Sequence, residues 1–322
     1  MSKAIRLYEH GGADRLRWED HPVPAPGKGE VLVRHSAIGV NYYDIYVRSG
    51  LYPQALPTGL GNEAAGSVAA VGQGVRGFRV GDRVAYQGAA GAYAEERVSE
   101  ADKLVKLPRD ISVEQAAAVL LKGLTAWCLL RRAYPIKRGE VVLVTAAAGG
   151  VGLILSQWAR ALGAIVIGVV GSEAKAALAK RSGCRHVIVG YDGMAAKVRS
   201  YTKGKGVDVV YDGVGKDTFM AGLDCLKPLH LMVSFGNASG AVPPVSPLEL
   251  MRRGSLFLTR PTSTDYLRDP ATRRRAAREL FSQIRRGKIR VVIGQRFALR
   301  DAALAHAALE GRATTGSILL LP

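Results

Sequence analysis

Between Val141 and Gly152 the chain reads VVLVTAAAGGVG: four aliphatic residues, then a run in which only Thr145 and Val151 carry more than a methyl group. Such a run lets the backbone turn sharply after a strand and come close to a pyrophosphate. The free N–H groups and positive dipole of a following helix would meet the phosphate charge. The spacing Ala147-x-Gly149-Gly150-x-Gly152 is a variant of the dinucleotide fingerprint, with Ala147 where the first glycine usually stands. A plain tight turn would use the same residues. What separates the two readings is whether strands and helices alternate around the turn.

A second position bears on which dinucleotide would bind. Sites that prefer NAD end their second strand with Asp or Glu about 20 residues on, to bond the ribose 2′-OH. Here that strand ends Val169-Val170-Gly171-Ser172, without a carboxylate, and Lys175 follows one turn into the next helix. An ammonium there can reach a 2′-phosphate, so NADPH is favoured over NADH. Glu173 argues the other way, but it stands where a helix N-terminus commonly carries an acid.

The elements that must position these residues follow from periodicity. Apolar runs and helical patterns alternate as strand Val141–Ala146, helix Gly150–Leu162, strand Ala164–Val170, helix Ser172–Ser182 and strand His186–Val189. The series continues with helix Met194–Thr202, strand Val207–Asp212, helix Thr218–Leu226 and strands His230–Ser234 and Ser255–Thr259. Strands alternating with helices in this way predict a doubly wound parallel six-stranded sheet in an α/β protein. Before it, short runs such as Glu30–Ser36 and Gly66–Val71, punctuated by Gly and Pro, predict a β-rich domain up to about Leu107. Ser112 can cap a helix that runs through EQAAAVLLKGLTAWCLLRR as a crossover. The final SILLL, Ser317–Leu321, could pair back onto the first domain.

A chain of 322 residues exceeds one ordinary core, so two domains are expected. Apolar stretches such as Ala164–Val170 fall short of the roughly 18 residues a membrane-spanning helix needs, and no such helix is expected. The opening MSKAIRLYEH shows no apolar signal segment, which makes a cytoplasmic location the expectation. Cys128, Cys184 and Cys225 are odd in number and widely spaced, which fits neither a disulfide framework nor a metal clip. A formal charge of +18 implies attraction to something anionic: a phosphate-bearing cofactor, nucleic acid or an acidic surface.

The stretch Gly139-Glu140-x-x-Leu143-x-x-x-Ala147-Ala148-Gly149-Gly150-x-Gly152-x-x-x-x-Gln157-x-x-Arg160 resembles the signature of the quinone oxidoreductase/ζ-crystallin family. The resemblance extends through NYYDIYVRSGLYP (Asn41–Pro53), GLGNEAAG (Gly59–Gly66), VSFGNASG (Val233–Gly240), LTRP (Leu258–Pro261) and GRATTGS (Gly311–Ser317). It implies a GroES-like β-rich catalytic domain from residues 1–124 and 262–322. A Rossmann NADPH-binding domain, residues 125–261, would be inserted between them, with the cofactor in the cleft and two copies forming a homodimer.

In the alcohol dehydrogenases of the same medium-chain dehydrogenase/reductase superfamily, a Cys and a His hold a catalytic zinc. The equivalent positions here are Asn41, preceding Asp44, and Asn62 in Gly61-Asn62-Glu63. Neutral amides at two of three ligand positions imply chemistry without a metal. The resemblance therefore implies hydride transfer from NADPH to a quinone, or to an activated enone as the alternative. It places Asn41, Asp44, Tyr46 and Tyr52 at the reaction, with Tyr46 or Tyr52 donating a hydrogen bond or proton to the quinol oxygen. Glu63 is expected to bond local backbone.

Around the cofactor the resemblance places Tyr42, Tyr46 and Cys128, and at the pyrophosphate Gly149, Gly150, Val151 and Gly152. Gly171, Ser172, Lys175 and Tyr191 fall at the adenosine end. Gly213, Phe235, Gly236, Asn237, Ala238, Thr259, Arg260 and Pro261 lie on strand ends, and Arg312 comes from the other domain. Cys128 stands where relatives often carry an aromatic residue, and Gly213 where they carry Ser.

One run fits another class of function. Arg268–Arg290 (RDPATRRRAARELFSQIRRGKIR) is the densest positive segment, and some relatives resemble RNA-binding proteins. Phe281 is its only aromatic residue, so no platform for stacking bases is visible, and a solvated helix face is the simpler reading.

Overall fold

The computed structural model describes residues 2–88, 90–311 and 314–322. In chain order the elements begin with β1 (Ser2–Leu7), β2 (Leu16–His21), β3 (Glu30–Val40), α1 (Tyr42–Arg48), β4 (Thr58–Gly59) and β5 (Glu63–Val71). Strands β6 (Arg83–Gln87), β7 (Glu96–Glu100) and β8 (Leu104–Lys106) lead to α2 (Val113–Cys128). Then come β9 (Val141–Val144), α3 (Gly150–Ala161), β10 (Ile165–Val170), α4 (Glu173–Arg181), β11 (Cys184–Val189), α5 (Met194–Tyr201) and β12 (Val207–Asp212). They are followed by α6 (Phe219–Asp224), β13 (Leu226–Ser234), α7 (Pro247–Arg252), β14 (Phe257–Thr259), α8 (Ser263–Tyr266) and α9 (Pro270–Arg285). The last are β15 (Ile293–Ala298), α10 (Ala302–Glu310) and β16 (Ser317–Leu321).

Two compact units result. The first comprises Met1–Lys122, Arg273–Phe281 and Val291–Pro322, and the second Gly123–Thr272 and Ser282–Arg290. In the first, a seven-stranded sheet runs β15-β16-β3-β5-β6-β8 with β7 also on β3, and β2-β1-β4 form a smaller sheet. The apolar SILLL pairs antiparallel with β3, Ile318 opposite Val40 and Leu320 opposite Ile38, as its composition suggests. Val31, Val33, Ile38, Tyr86, Tyr93, Leu299 and Ile318 are buried in the core of this unit.

The second unit is the doubly wound sheet, ordered β11-β10-β9-β12-β13-β14. All its pairings are parallel. Strand order reverses at β9, which puts the small-residue turn at the topological switch point, where open α/β sheets bind ligands. Several boundaries differ from the periodic reading: β13 begins at Leu226 and not His230, β11 at Cys184 and not His186, and β14 at Phe257 and not Ser255. Strand β9 stops at Val144 because Ala146 sits at φ 48°, in the left-handed region. Helix α6 stops at Asp224 because Leu226 already pairs with Val207 as the start of β13.

Ser112 caps α2 reciprocally: Gln115 N–H donates to its Oγ at 3.1 Å, and Ser112 N–H donates to Gln115 Oε1 at 3.0 Å. With the five-residue π-helical turn that continues it, this helix spans Val113–Ala133, 21 residues long and apolar enough to cross a membrane. This corrects the expectation that the apolar stretches all fall short of that length. The segment is a core helix all the same, with 72% of its apolar window buried inside the protein.

Candidate functional site

In the second unit the turn after β9 is tied down by backbone bonds. Ala147 N–H donates to Val169 O at 3.0 Å and Gly149 N–H to Ala146 O at 2.8 Å. Gly149 is the N-cap of α3 in extended conformation, and no side chain caps the helix. The first-turn N–H groups of Gly150, Val151 and Gly152 therefore lack intrahelical acceptors and form an anion-binding terminus. A Cβ on Gly152 would stand 2.2 Å from Ala146 O, and one on Gly168 would stand 2.5 Å from Cys184 Sγ and 2.9 Å from Ala147 Cβ. Only residues without side chains leave room for this turn and for the strand beside it. These features fit a dinucleotide pyrophosphate.

Beside the turn, Asp212 at the end of β12 is fully buried and gathers four donors. Thr145 Oγ1 bonds it at 2.7 Å, Thr218 Oγ1 at 2.6 Å, and the N–H groups of Val214 and Gly215 at 3.2 Å each. Burial pushes its carboxyl up, and these donors oppose the shift. Thr145 also receives Gly213 N–H at 3.0 Å, so the ends of β9 and β12 are locked together. Phe235 N–H donates to Asp212 O at 2.7 Å, and Ala238 N–H to Gly213 O at 3.3 Å. With its amide oriented as its neighbours require, Asn237 donates to Gly236 O at 3.0 Å and accepts from Arg260 Nη2 at 3.1 Å. Gly213, Phe235–Ala238 and Arg260 thus form one cluster of strand ends, with Thr259 and Pro261 flanking Arg260.

At the end of β10, Gly171 and Ser172 are exposed, and open space surrounds the missing Cβ of Gly171. Lys175 lies half-buried in the first turn of α4, and Tyr191 packs half-buried against the sheet core. Cys128 is buried, and burial pushes its thiol up to about 12, so it stays neutral. Arg312 lies outside the described residues.

In the first unit Asn41 precedes α1, and Asp44 Oδ2 accepts its N–H at 2.9 Å. Asn41 Nδ2 donates to Glu63 Oε1 at 3.0 Å and to Gly39 O at 3.3 Å. The same Glu63 oxygen accepts Lys122 Nζ at 2.6 Å, and Oε2 accepts Leu121 N–H at 2.7 Å. Glu63 is therefore not bonded locally as expected; it bridges β5 to α2, 58 residues away. Gly39 makes the space, since a Cβ there would meet Glu63 Oε1 at 2.3 Å and Ala117 O at 2.4 Å. Aromatic rings cover α1: Tyr46 meets Tyr52 edge-on at 5.1 Å and Tyr42 at 6.0 Å, and Tyr43 meets Tyr52 at 5.7 Å. Tyr42 Oη donates to Leu309 O at 3.0 Å.

Asp44 Oδ2 also accepts Tyr93 Oη at 3.0 Å. Tyr93 Oη lies 3.0 Å from His306 Nε2, and Arg48 Nη1 lies 3.3 Å from His306 Nδ1. Arg48 in turn forms a two-pronged pair with Glu310, at 2.9 and 2.6 Å. Burial pushes the Asp44 carboxyl up to about 7, against the bonds from Asn41 and Tyr93. Burial, then the guanidinium of Arg48, holds the His306 imidazole down at about 3.

This donor set does not fit a catalytic zinc. Such a site needs three Cys, His or carboxylate ligands. Here Asn62 Oδ1 accepts Gly88 N–H at 2.7 Å, Asn41 donates its amide to Glu63, and the Lys122 ammonium occupies the Glu63 carboxylate. Among the described residues no three His, Cys, Asp or Glu side chains group as metal ligands.

Sequence reasoning does not single out Lys122, Arg48, Tyr93, Thr145, Asp212 or His306. Lys122 carries the clearest signal: a lone charge within the apolar run AAAVLLKGLTAW demands a buried partner. The basic helix α9 is capped by Asp269 and buries Ala276, Ala277, Leu280 and Phe281. With its sole aromatic in the core, its arginine face offers no stacking platform.

Residues 27–109 match the family described as alcohol dehydrogenase GroES-like domain, and residues 150–269 the family described as zinc-binding dehydrogenase. The chain is 51% identical to a quinone oxidoreductase of Pseudomonas aeruginosa, with 100% of both chains covered. It is 43% identical to a 2-haloacrylate reductase of Burkholderia sp., covering 100% of this chain and 99% of that one. The crystal structure of Escherichia coli quinone oxidoreductase complexed with NADPH superposes with a TM-score of 0.97 at 48% identity, covering 99% of this chain and 100% of that one.

Proposed function

We infer the reaction from one premise: the chain belongs to the quinone oxidoreductase family of the medium-chain dehydrogenases/reductases. It reduces quinones with NADPH, without a metal. The observation that carries this reading is the uncapped Ala146–Gly152 turn at the switch point of a sheet whose second strand ends without an acid. NADPH, when bound, supplies a hydride from nicotinamide C4.

The chain binds and orients. Gly149, Gly150, Val151 and Gly152 hold the pyrophosphate; Gly171, Ser172 and Lys175 hold the 2′-phosphate, with Tyr191 beside them. Gly213, Phe235, Gly236, Asn237, Ala238, Thr259, Arg260 and Pro261 border the cofactor on the strand ends, and Tyr42, Tyr46, Cys128 and Arg312 complete its contacts. Asn41, Asp44, Tyr46 and Tyr52 face the reacting atoms, and Tyr46 or Tyr52 gives a hydrogen bond or proton to the quinol oxygen. The likeness to a 2-haloacrylate reductase favours one second reading, reduction of an activated alkene by the same hydride.

NADPH oxidation with 1,4-benzoquinone, 9,10-phenanthrenequinone, a short enone and 2-chloroacrylate tests both readings. Turnover of the quinones is expected, and failure with every quinone would sink the main one. Lys175→Ala is expected to weaken NADPH by about tenfold to 100-fold, the worth of one charge-assisted bond, and to leave NADH nearly unchanged. Equal loss for both coenzymes would show that this lysine does not read the phosphate.

The proposed assembly is a homodimer. Strand β14 is an edge of the six-stranded sheet, with Phe257 60% and Leu258 42% exposed and Leu229, Leu248 and Met251 exposed as well. An unpartnered edge with apolar side chains is suited to a second copy. Light scattering should give twice the chain mass, and Phe257→Asp should halve it. Three buried, unpaired cysteines suit a reducing compartment such as the cytoplasm.

A further inference from the structure

The groups linking Glu310 to Asp44 form a chain that leaves α1 at Asp44 and returns to it at Arg48, one helical turn later. Its members come from α1, the loop carrying Tyr93, and α10, and Asp44, Arg48, Tyr93 and His306 are all buried. Such a chain has two possible directions of donation, and its ends decide between them. Arg48 can only donate. Facing it, His306 Nδ1 must present its lone pair, so the neutral ring carries its proton on Nε2. That proton points at Tyr93 Oη, leaving the phenol's own proton for Asp44 Oδ2. The opposite direction would turn an Nδ1–H, or a whole imidazolium, onto the guanidinium.

We propose that Arg48, His306 and Tyr93 are positioning residues whose locked hydrogen-bond direction delivers one fixed donor to Asp44, holding its carboxylate and the start of α1 in the state the reaction uses. The proposal rests on the placing of Asp44 at the reacting atoms given above. Burial favours the neutral acid at this position, and a donor that cannot reverse opposes it. The other groups facing Asp44 are the Asn41 N–H, Tyr43 on its own helix, Glu63 on β5, which disfavours its charge, and Lys122 on α2, which favours it. His306 faces Arg48 and Tyr93, its ring edge-on to the phenol at 5.7 Å.

The test uses the full chain with NADPH and a quinone. The pH dependence of kcat/KM is measured for the wild type, Tyr93→Phe, His306→Leu, His306→Gln and Asp44→Asn, and the His306 tautomer is read from its ring nitrogens by NMR. Tyr93→Phe should move the acidic limb up by about one pH unit, the effect of losing one donor to a carboxylate, and His306→Leu should move it the same way by less, because the phenol keeps its proton and loses only the bond that holds it toward Asp44. His306→Gln, which keeps a donor toward Tyr93, should restore most of the profile, and wild-type His306 should carry its proton on Nε2. Superimposable profiles for wild type, Tyr93→Phe and His306→Leu, where Asp44→Asn does alter the profile, would reduce the chain to a structural brace and overturn the proposal. An Nδ1–H tautomer would overturn it directly. If Asp44→Asn itself keeps the wild-type profile while the Nε2–H tautomer is found, the placing of Asp44 at the reaction fails and the direction of the chain stands.

Discussion

Lys122→Met should lower folding stability by about 3–5 kcal/mol, a large share of what holds a domain together. Methionine keeps the length and the helix propensity, so packing changes little. What is lost is the ammonium 2.6 Å from a carboxylate that has no exposure to water. Glu63 would keep the Asn41 amide and the Leu121 N–H, both neutral donors, and remain a buried charge without a counter-charge. Adding Glu63→Gln removes that charge and should recover most of the loss, because a buried pair replaced as a unit is often near neutral. Urea midpoints for the two single variants and the double variant, at constant m, measure the coupling directly. A single variant costing under about 1 kcal/mol would mean that water reaches Glu63.

Gly152→Ala should raise the Kd for NADPH by about 100-fold. The added methyl would meet Ala146 O at 2.2 Å and Ala147 Cα at 2.9 Å. Both are backbone atoms of the turn, so no side chain can swing aside. The turn itself has to shift, carrying the first N–H groups of α3 away from the pyrophosphate. Gly171→Ala is the contrast: a Cβ there meets nothing within 4 Å, and its stability change should stay within about 0.5 kcal/mol. Titrating NADPH by nucleotide fluorescence checks the first variant, and a urea midpoint checks the second.

The turn and its sheet are legible in the sequence because their determinants are local: small residues at fixed offsets, and apolar runs at regular intervals. Lys175 is legible for the same reason, as a charge at a set distance from a strand end. The Glu63–Lys122 pair and the chain through His306 join residues separated by 59 and 258 positions. His306 lies in AALAHAALE, where no neighbour hints at the tyrosine and arginine that the fold brings to either ring nitrogen. Glu63 reads as a local bond because β5 and α2 are far apart in sequence; only the register of β5 on β3, with Gly39 opposite Glu63, exposes the carboxylate to α2. The length of the α2 segment escapes a linear reading because Lys122 and Arg131 break its apolar run without ending the helix.

Strand β16 lies between β15 and β3 in the first unit. During synthesis the parallel sheet of the second unit, whose residues end at Arg290, can close before β16 emerges, whereas the Ile38–Val40 end of β3, beyond its pairing with β7, waits for Ser317–Leu321. For that interval Ile38, Gly39 and Val40 present open backbone to whatever strand is nearby, including the same segment of a neighbouring nascent chain. The end of β3 is thus made early and paired late, an interval in which its open edge needs cover.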